Sequence, residues 1–171
     1  MSDVYCVRAE FGKYTQRFVS GGYVGIGWLP GTDLSSLGSK RELYPLYIND
    51  HPGLTNKRKI GTQVGQIARF LLKIKAGDYV VTPAAEAEWL HYGEVGPEPS
   101  YFYHAGNDGC LYRHRRRVEW ASEPLKRSDF SGPFWNAMCS RLSVFAISQP
   151  AEFFAAVGQR RPVRGVAAGG L

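Results

Sequence analysis

The chain is poor in cysteine, has no long apolar run and shows no residue cluster suited to holding a metal. Cys6, Cys110 and Cys139 are the only cysteines in 171 residues, and no two stand in a CxxC pair. Three such residues cannot make the disulfide framework of a small secreted domain, nor a tetrahedral zinc site without distant histidine help. A reducing cytoplasm is the expected compartment. His51, His91, His104 and His114 show neither HxxxH nor HxH spacing, so no metal or other cofactor is expected. No cysteine lies in a recognisable nucleophile motif, and no carboxylate and lysine cluster of the nuclease kind is found. The reading is therefore a binding module that performs no catalysis. No apolar stretch approaches the roughly 18–20 residues of a membrane span, and the opening MSDVYCVRAE has no long apolar core behind a basic start. A soluble, untargeted protein is expected.

What is present is globular and basic. Apolar residues make up 44% and aromatic residues 13% of the chain, enough to build a core at this length. The net charge of +6 favours an anionic partner, because basic surface attracts phosphate through a summed, salt-sensitive field. Part of the excess lies in GQRRPVRGVAAGGL, so residues 1–157 are expected to form one domain and 158–171 a flexible basic tail or the start of a linker.

Several short strands around two or three helices are expected, an α+β plan. Val4 to Ala9 and Tyr23 to Trp28 read as strands, and the alternate glycines of the second mark a bend or a close approach. Ser39-Lys40-Arg41-Glu42 has the form of a capping box, with Pro45 limiting the helix that follows to a short, irregular one. The stretch 49–59 reads as a polar loop ending in Lys57-Arg58-Lys59. The clearest helix is expected from near Thr62, where Val64, Ile67, Ala68, Leu71 and Ile74 share one face. Strands follow at 79–82, 89–95, 101–104 and 111–120, a helix at 134–142, a strand at 143–148 and a last short helix from Pro150.

The ordered segments GYVGIGW, GTQVGQIARFLLKIKAGDYVVTP, HYGEV, YFYH, RRRVEW and LSVFAIS resemble the EVE-like, PUA-superfamily domain at the N-terminus of Mrr-type modification-dependent restriction endonucleases. The resemblance spans roughly residues 4–148. It implies a small β-barrel flanked by helices, with an aromatic pocket that accepts one modified base, as a specificity module for a fused or associated nuclease. Its implied ligand is double-stranded DNA with a modified base, a modified cytosine first, flipped out of the duplex. Unstacking a base costs a few kcal/mol, which stacking and edge hydrogen bonds in the pocket must offset. An RNA-binding PUA-like protein and a small-ligand sensor are the alternatives.

The candidate base pocket is Trp28 and Tyr23 as stacking walls, Gln63 and Gln66 as amides able to read a base edge, Thr82 where the implied barrel opens, and Tyr101 and Tyr103 on one strand face. The candidate phosphate contacts are Lys57, Arg58 and Lys59 on one side and Arg113, Arg115 and Arg117 on the other, forming a two-sided groove.

Overall fold

The computed structural model describes residues 2–86 and 88–159; the expected tail from residue 160 onward lies outside them. Strand β1 (Val4–Val7) is buried at every position, and alternation divides its side chains between two cores. Tyr5 and Val7 enter one hydrophobic cluster, Val4 and Cys6 the other. A strand covered on both faces belongs in the sheet interior. There β1 pairs in parallel with β3 (Tyr79–Pro83) and antiparallel with β8 (Val144–Ala146).

The bonded order continues from β3 to β4 (Trp89–Val95), then to β6 (His114–Trp120), and ends at β2 (Tyr23–Ile26). β5 (Tyr101–Tyr103) adds to β6, and β7 (Leu125–Lys126) adds to β4. The chain is thus α+β, with a mixed eight-stranded sheet and five α-helices among the described residues. Among those residues no ladder closes the sheet from β2 to β8 or β1, so the closed barrel implied by the resemblance is replaced by an open order. Where a closing ladder would need backbone donors and acceptors, the side chains of Arg8 and Tyr112 line a gap beside Gly25, Ile26, Gly27 and Trp28.

Helix α1 (Thr15–Gly21) has no side-chain cap, which is why sequence reading missed it; it is held by Phe18, fully buried in the first core. The capping box is present. Glu42 accepts the N–H groups of Gly38 and Ser39 at 2.8 and 2.7 Å, starting a 3-10 turn (Lys40–Glu42) that leads into α2 (Leu43–Asp50). Pro45 falls in the first turn of α2, where a missing N–H leaves no hydrogen bond unmade.

Helix α3 (Lys57–Ala68) starts earlier than the expected Thr62. Asn56 Oδ1 accepts from Arg58 and Lys59 N–H at 3.0 and 3.1 Å, so the basic run forms a helical first turn. Cations there oppose the helix dipole, which is why the run reads as a loop. The helix passes directly into a π-helical segment, Arg69–Lys73. Helices α4 (Gly132–Met138) and α5 (Pro150–Gln159) supply Phe134, Met138 and Phe153 to the second core. None of these helices is long and apolar enough to cross a membrane.

Gln66 corrects an expectation of the sequence. It is buried, and its Oε1 accepts the N–H of Ser143 at 2.7 Å and of Val144 at 3.2 Å, clamping α3 to β8. Gln66→Leu leaves two buried donors unpaired, so urea unfolding should show a loss of about 1–3 kcal/mol; a loss within error of zero would mean that water serves both donors.

Candidate functional site

Most of the residues singled out in the sequence are spent on structure. Tyr23 is 4% exposed, with Phe18 tilted against it at 5.4 Å and the Arg115 guanidinium over its ring at 4.2 Å, so neither ring face is open to a base. Thr82 is fully buried, and its Oγ1 has no hydrogen-bond partner among the described residues. Gln63 is half-buried on α3 and is not a wall of the cleft described below.

Tyr101 and Tyr103 both secure the loop that follows Trp28. The Tyr103 hydroxyl donates to Pro30 O. Tyr101 Oη accepts Leu34 N–H at 3.1 Å and lies 2.8 Å from His114 Nδ1, while His114 Nε2 lies 2.7 Å from Leu29 O. A carbonyl only accepts, so Nε2 carries the proton and Nδ1 accepts from the phenol. Burial lowers the His114 pKa. The unfolded state then takes up a proton first, so this group's contribution to stability is complete above about pH 6.5 and declines as pH falls below it. Unfolding midpoints at pH 7 and pH 5 should differ more for the unaltered protein than for His114→Gln; equal differences would refute the neutral assignment.

Of the expected phosphate contacts, Arg115 is corrected. Arg115 and Arg116 are 2% and 4% exposed. Arg116 donates to Phe70 O and Leu71 O, both at 2.6 Å, at the carbonyl-rich end of the α3 assembly. Lys57 lies at the other end, about 20 Å away at 1.5 Å per residue. Arg113 is tied to Ala105 O at 3.0 Å, and Arg117 is exposed with its guanidinium 4.4 Å from the Phe102 ring centre. Lys57, Arg58 and Lys59 stay exposed.

A large concavity lies elsewhere, at the ends of β1 and β3. It is a cleft of about 680 Å³ whose walls come from the turn after β1 (Arg8 to Gly12), from Pro83 and Ala84, from Tyr112, and from the α4 region and the chain beyond it. A second lobe of about 280 Å³ shares Arg8, Tyr112 and Ser143 with it and brings in Trp28. Of the expected base-pocket residues, Trp28 alone borders this space. The glycines of GYVGIGW explain how: a Cβ on Gly27 would stand 2.6 Å from the Tyr112 ring, and one on Gly25 would stand 3.1 Å from Tyr112 Cβ. The close approach read from those glycines is therefore the seat of Tyr112.

Aromatic and basic groups both line the opening. Arg127 lies 5.2 Å from the Trp135 ring centre, and Trp135 Nε1–H donates to Arg127 O at 2.9 Å, holding the indole in place. Arg8 donates to Met138 O and lies 5.6 Å from the Phe145 ring centre. Arg127 and Arg141 are exposed. Tyr112 meets Tyr14 edge-on at 4.9 Å, and burial, reinforced by Glu10, pushes its phenol up to about 12, so it stays neutral. Cys6 is buried behind the cleft wall, and burial pushes its thiol up to about 12, leaving no thiolate. Among the described residues no three histidine, cysteine or carboxylate side chains cluster to hold a metal.

The family model for a domain of unknown function, DUF8426, matches residues 7–147. The chain belongs to the DUF8426 family. The matched span runs from the last residue of β1 to just beyond β8 and so contains every cleft residue named above. No curated protein matches the sequence. The DUF8426 cleft residues were missed in the sequence because Arg8, Tyr112, Trp135 and Arg141 are scattered along the chain without a shared motif; only the glycines facing Tyr112 left a local signal.

Proposed function

We propose that this DUF8426 chain is a nucleic-acid reader of the EVE-like, PUA-related kind, which takes one modified base of duplex DNA into the cleft and performs no chemistry on it. The supporting observation is the pairing of aromatic walls, Tyr112 and Trp135, with two exposed arginines, Arg127 and Arg141, around one opening. Flat rings suit the π-face of a base, and guanidinium groups suit the phosphates that flank it. The volume falls within the about 300–1,000 Å³ typical of small-ligand sites and leaves room for a base with an added substituent. A modified cytosine is the first candidate ligand, and cleavage would belong to a fused or associated nuclease of a restriction system.

The test is anisotropy at fixed moderate salt with matched duplexes that carry cytosine, 5-methylcytosine, 5-hydroxymethylcytosine or 6-methyladenine at one position. One modified duplex should bind best, and Trp135→Ala should weaken its binding by about 5- to 150-fold, the scale of one missing base–aromatic stack. Trp28→Ala should act more weakly, since Trp28 borders only the smaller lobe. Equal binding of all four duplexes, unchanged in Trp135→Ala, overturns the reading. Salt-insensitive binding of a small metabolite in the same cleft would replace it with a sensor.

A further inference from the structure

The turn at the cleft mouth holds an aromatic ring in the open. Glu10, Phe11 and Gly12 take φ values of 52°, 55° and 88°, three left-handed residues in succession. Such positions suit glycine, asparagine or aspartate, and a bulky side chain there is a conformational outlier. The turn is nevertheless well fixed. Tyr14 N–H donates to Ala9 O at 2.9 Å and Lys13 N–H to Glu10 O at 3.0 Å. A Cβ at Gly12 would stand 2.5 Å from Ala85 Cα, so the turn is pressed against the neighbouring loop. Phe11 itself is 99% exposed. Burial within the chain therefore does not offset its strained backbone, and strain of this kind concentrates where a ligand is held.

We infer that Phe11 is a wedge that enters the base stack of duplex DNA beside the nucleotide taken into the cleft, filling the space that nucleotide leaves. The inference rests on the reader function above and adds which strand environment the site requires. An apolar side chain can part a base step and stack on the exposed neighbour. Phe11 has the placement for it: it lies on the cleft lip, and the same cleft is lined by Arg141, an exposed arginine suited to meet the backbone. A single-stranded ligand has no stack to re-fill, so the wedge matters for duplex and not for single strand.

The experiment uses the full chain, the tightest-bound of the four duplexes and the corresponding modified single strand. Phe11 has no packing to lose, so Phe11→Ala should fold as the unaltered protein does. Its duplex affinity should fall by about 5- to 150-fold, the equivalent of one missing stack, while its single-strand affinity stays within about twofold; Phe11→Trp should restore duplex binding. An unchanged ratio of duplex to single-strand affinity in Phe11→Ala overturns the wedge and leaves the reader function standing. Equal losses on both ligands also overturn it, making Phe11 a cleft wall. If the unaltered protein favours none of the four duplexes, the reader function itself fails and the wedge with it.

Discussion

Asp108→Ala should destabilise the fold by about 2–4 kcal/mol in urea unfolding, the largest single-residue effect expected outside the apolar core. The carboxylate holds Arg115, whose Nη1 and Nη2 donate to Asp108 Oδ2 and Oδ1 at 2.5 and 2.9 Å. Two further donors are also engaged: Nη2 reaches Cys110 O at 3.1 Å and Nε reaches Tyr112 O at 2.7 Å. Removing the carboxylate leaves a guanidinium that is 2% exposed without a counter-charge, a change that costs about 3–5 kcal/mol for a fully buried pair. The Asp108 side chain is 37% exposed, so water screens part of the loss and the lower range applies.

The pH dependence of that loss identifies its source. Hydrogen bonds from Arg115 hold the Asp108 carboxyl well below the usual carboxylate range. A depressed folded value means that the stabilisation is complete above the unfolded value near 4 and disappears as pH falls toward the folded one. The gap between Asp108→Ala and the unaltered protein should therefore narrow below about pH 4, and Asp108→Asn, which keeps one acceptor, should lose less at pH 7. A pH-independent gap would mean that the effect arises from the 104–113 loop and not from the ion pair. Because Tyr112 follows within that loop and accepts from Arg115 through its own carbonyl, the pair also fixes one wall of the cleft.

Arg115 shows how far the sequence could be read. Its place in a strand and its charge were legible, and so were the positions of β1 through β6, the apolar face of the main helix and the capping box, because these depend on local periodicity and turn chemistry. What RHRRR could not reveal is that two of its arginines are enclosed. That depends on Asp108 and on the carbonyls of Phe70 and Leu71, partners brought in by the fold. The same holds for Gln66: on a helical wheel it is polar and outward, yet β8 arrives over it with two free N–H groups. Sequence reading placed the ligand among residues with rings and amides in recognisable segments. The cleft instead takes its walls from turn residues and helix ends, where exposure is set by tertiary packing and leaves no periodic trace.

The exposed arginines that line the cleft are Arg127 and Arg141, and replacing both with glutamine should give the largest binding effect. A charge-assisted hydrogen bond contributes about 1.5–3 kcal/mol, so the pair should weaken duplex binding on the order of 100-fold or more at low salt. The slope of log affinity against log salt should flatten by about 0.9 for each phosphate that the protein no longer neutralises. Trp135→Ala, in contrast, removes a ring and no charge, and should lower affinity while leaving the slope unchanged. The Arg127→Gln/Arg141→Gln protein should keep its unfolding midpoint, because both side chains are exposed and Trp135 bonds to the main-chain carbonyl of Arg127. An unchanged slope in that protein would place the phosphate contacts on other exposed cations, Lys57, Arg58 and Lys59 at the far end of α3 among them, and would separate the charge of this domain from its aromatic cleft.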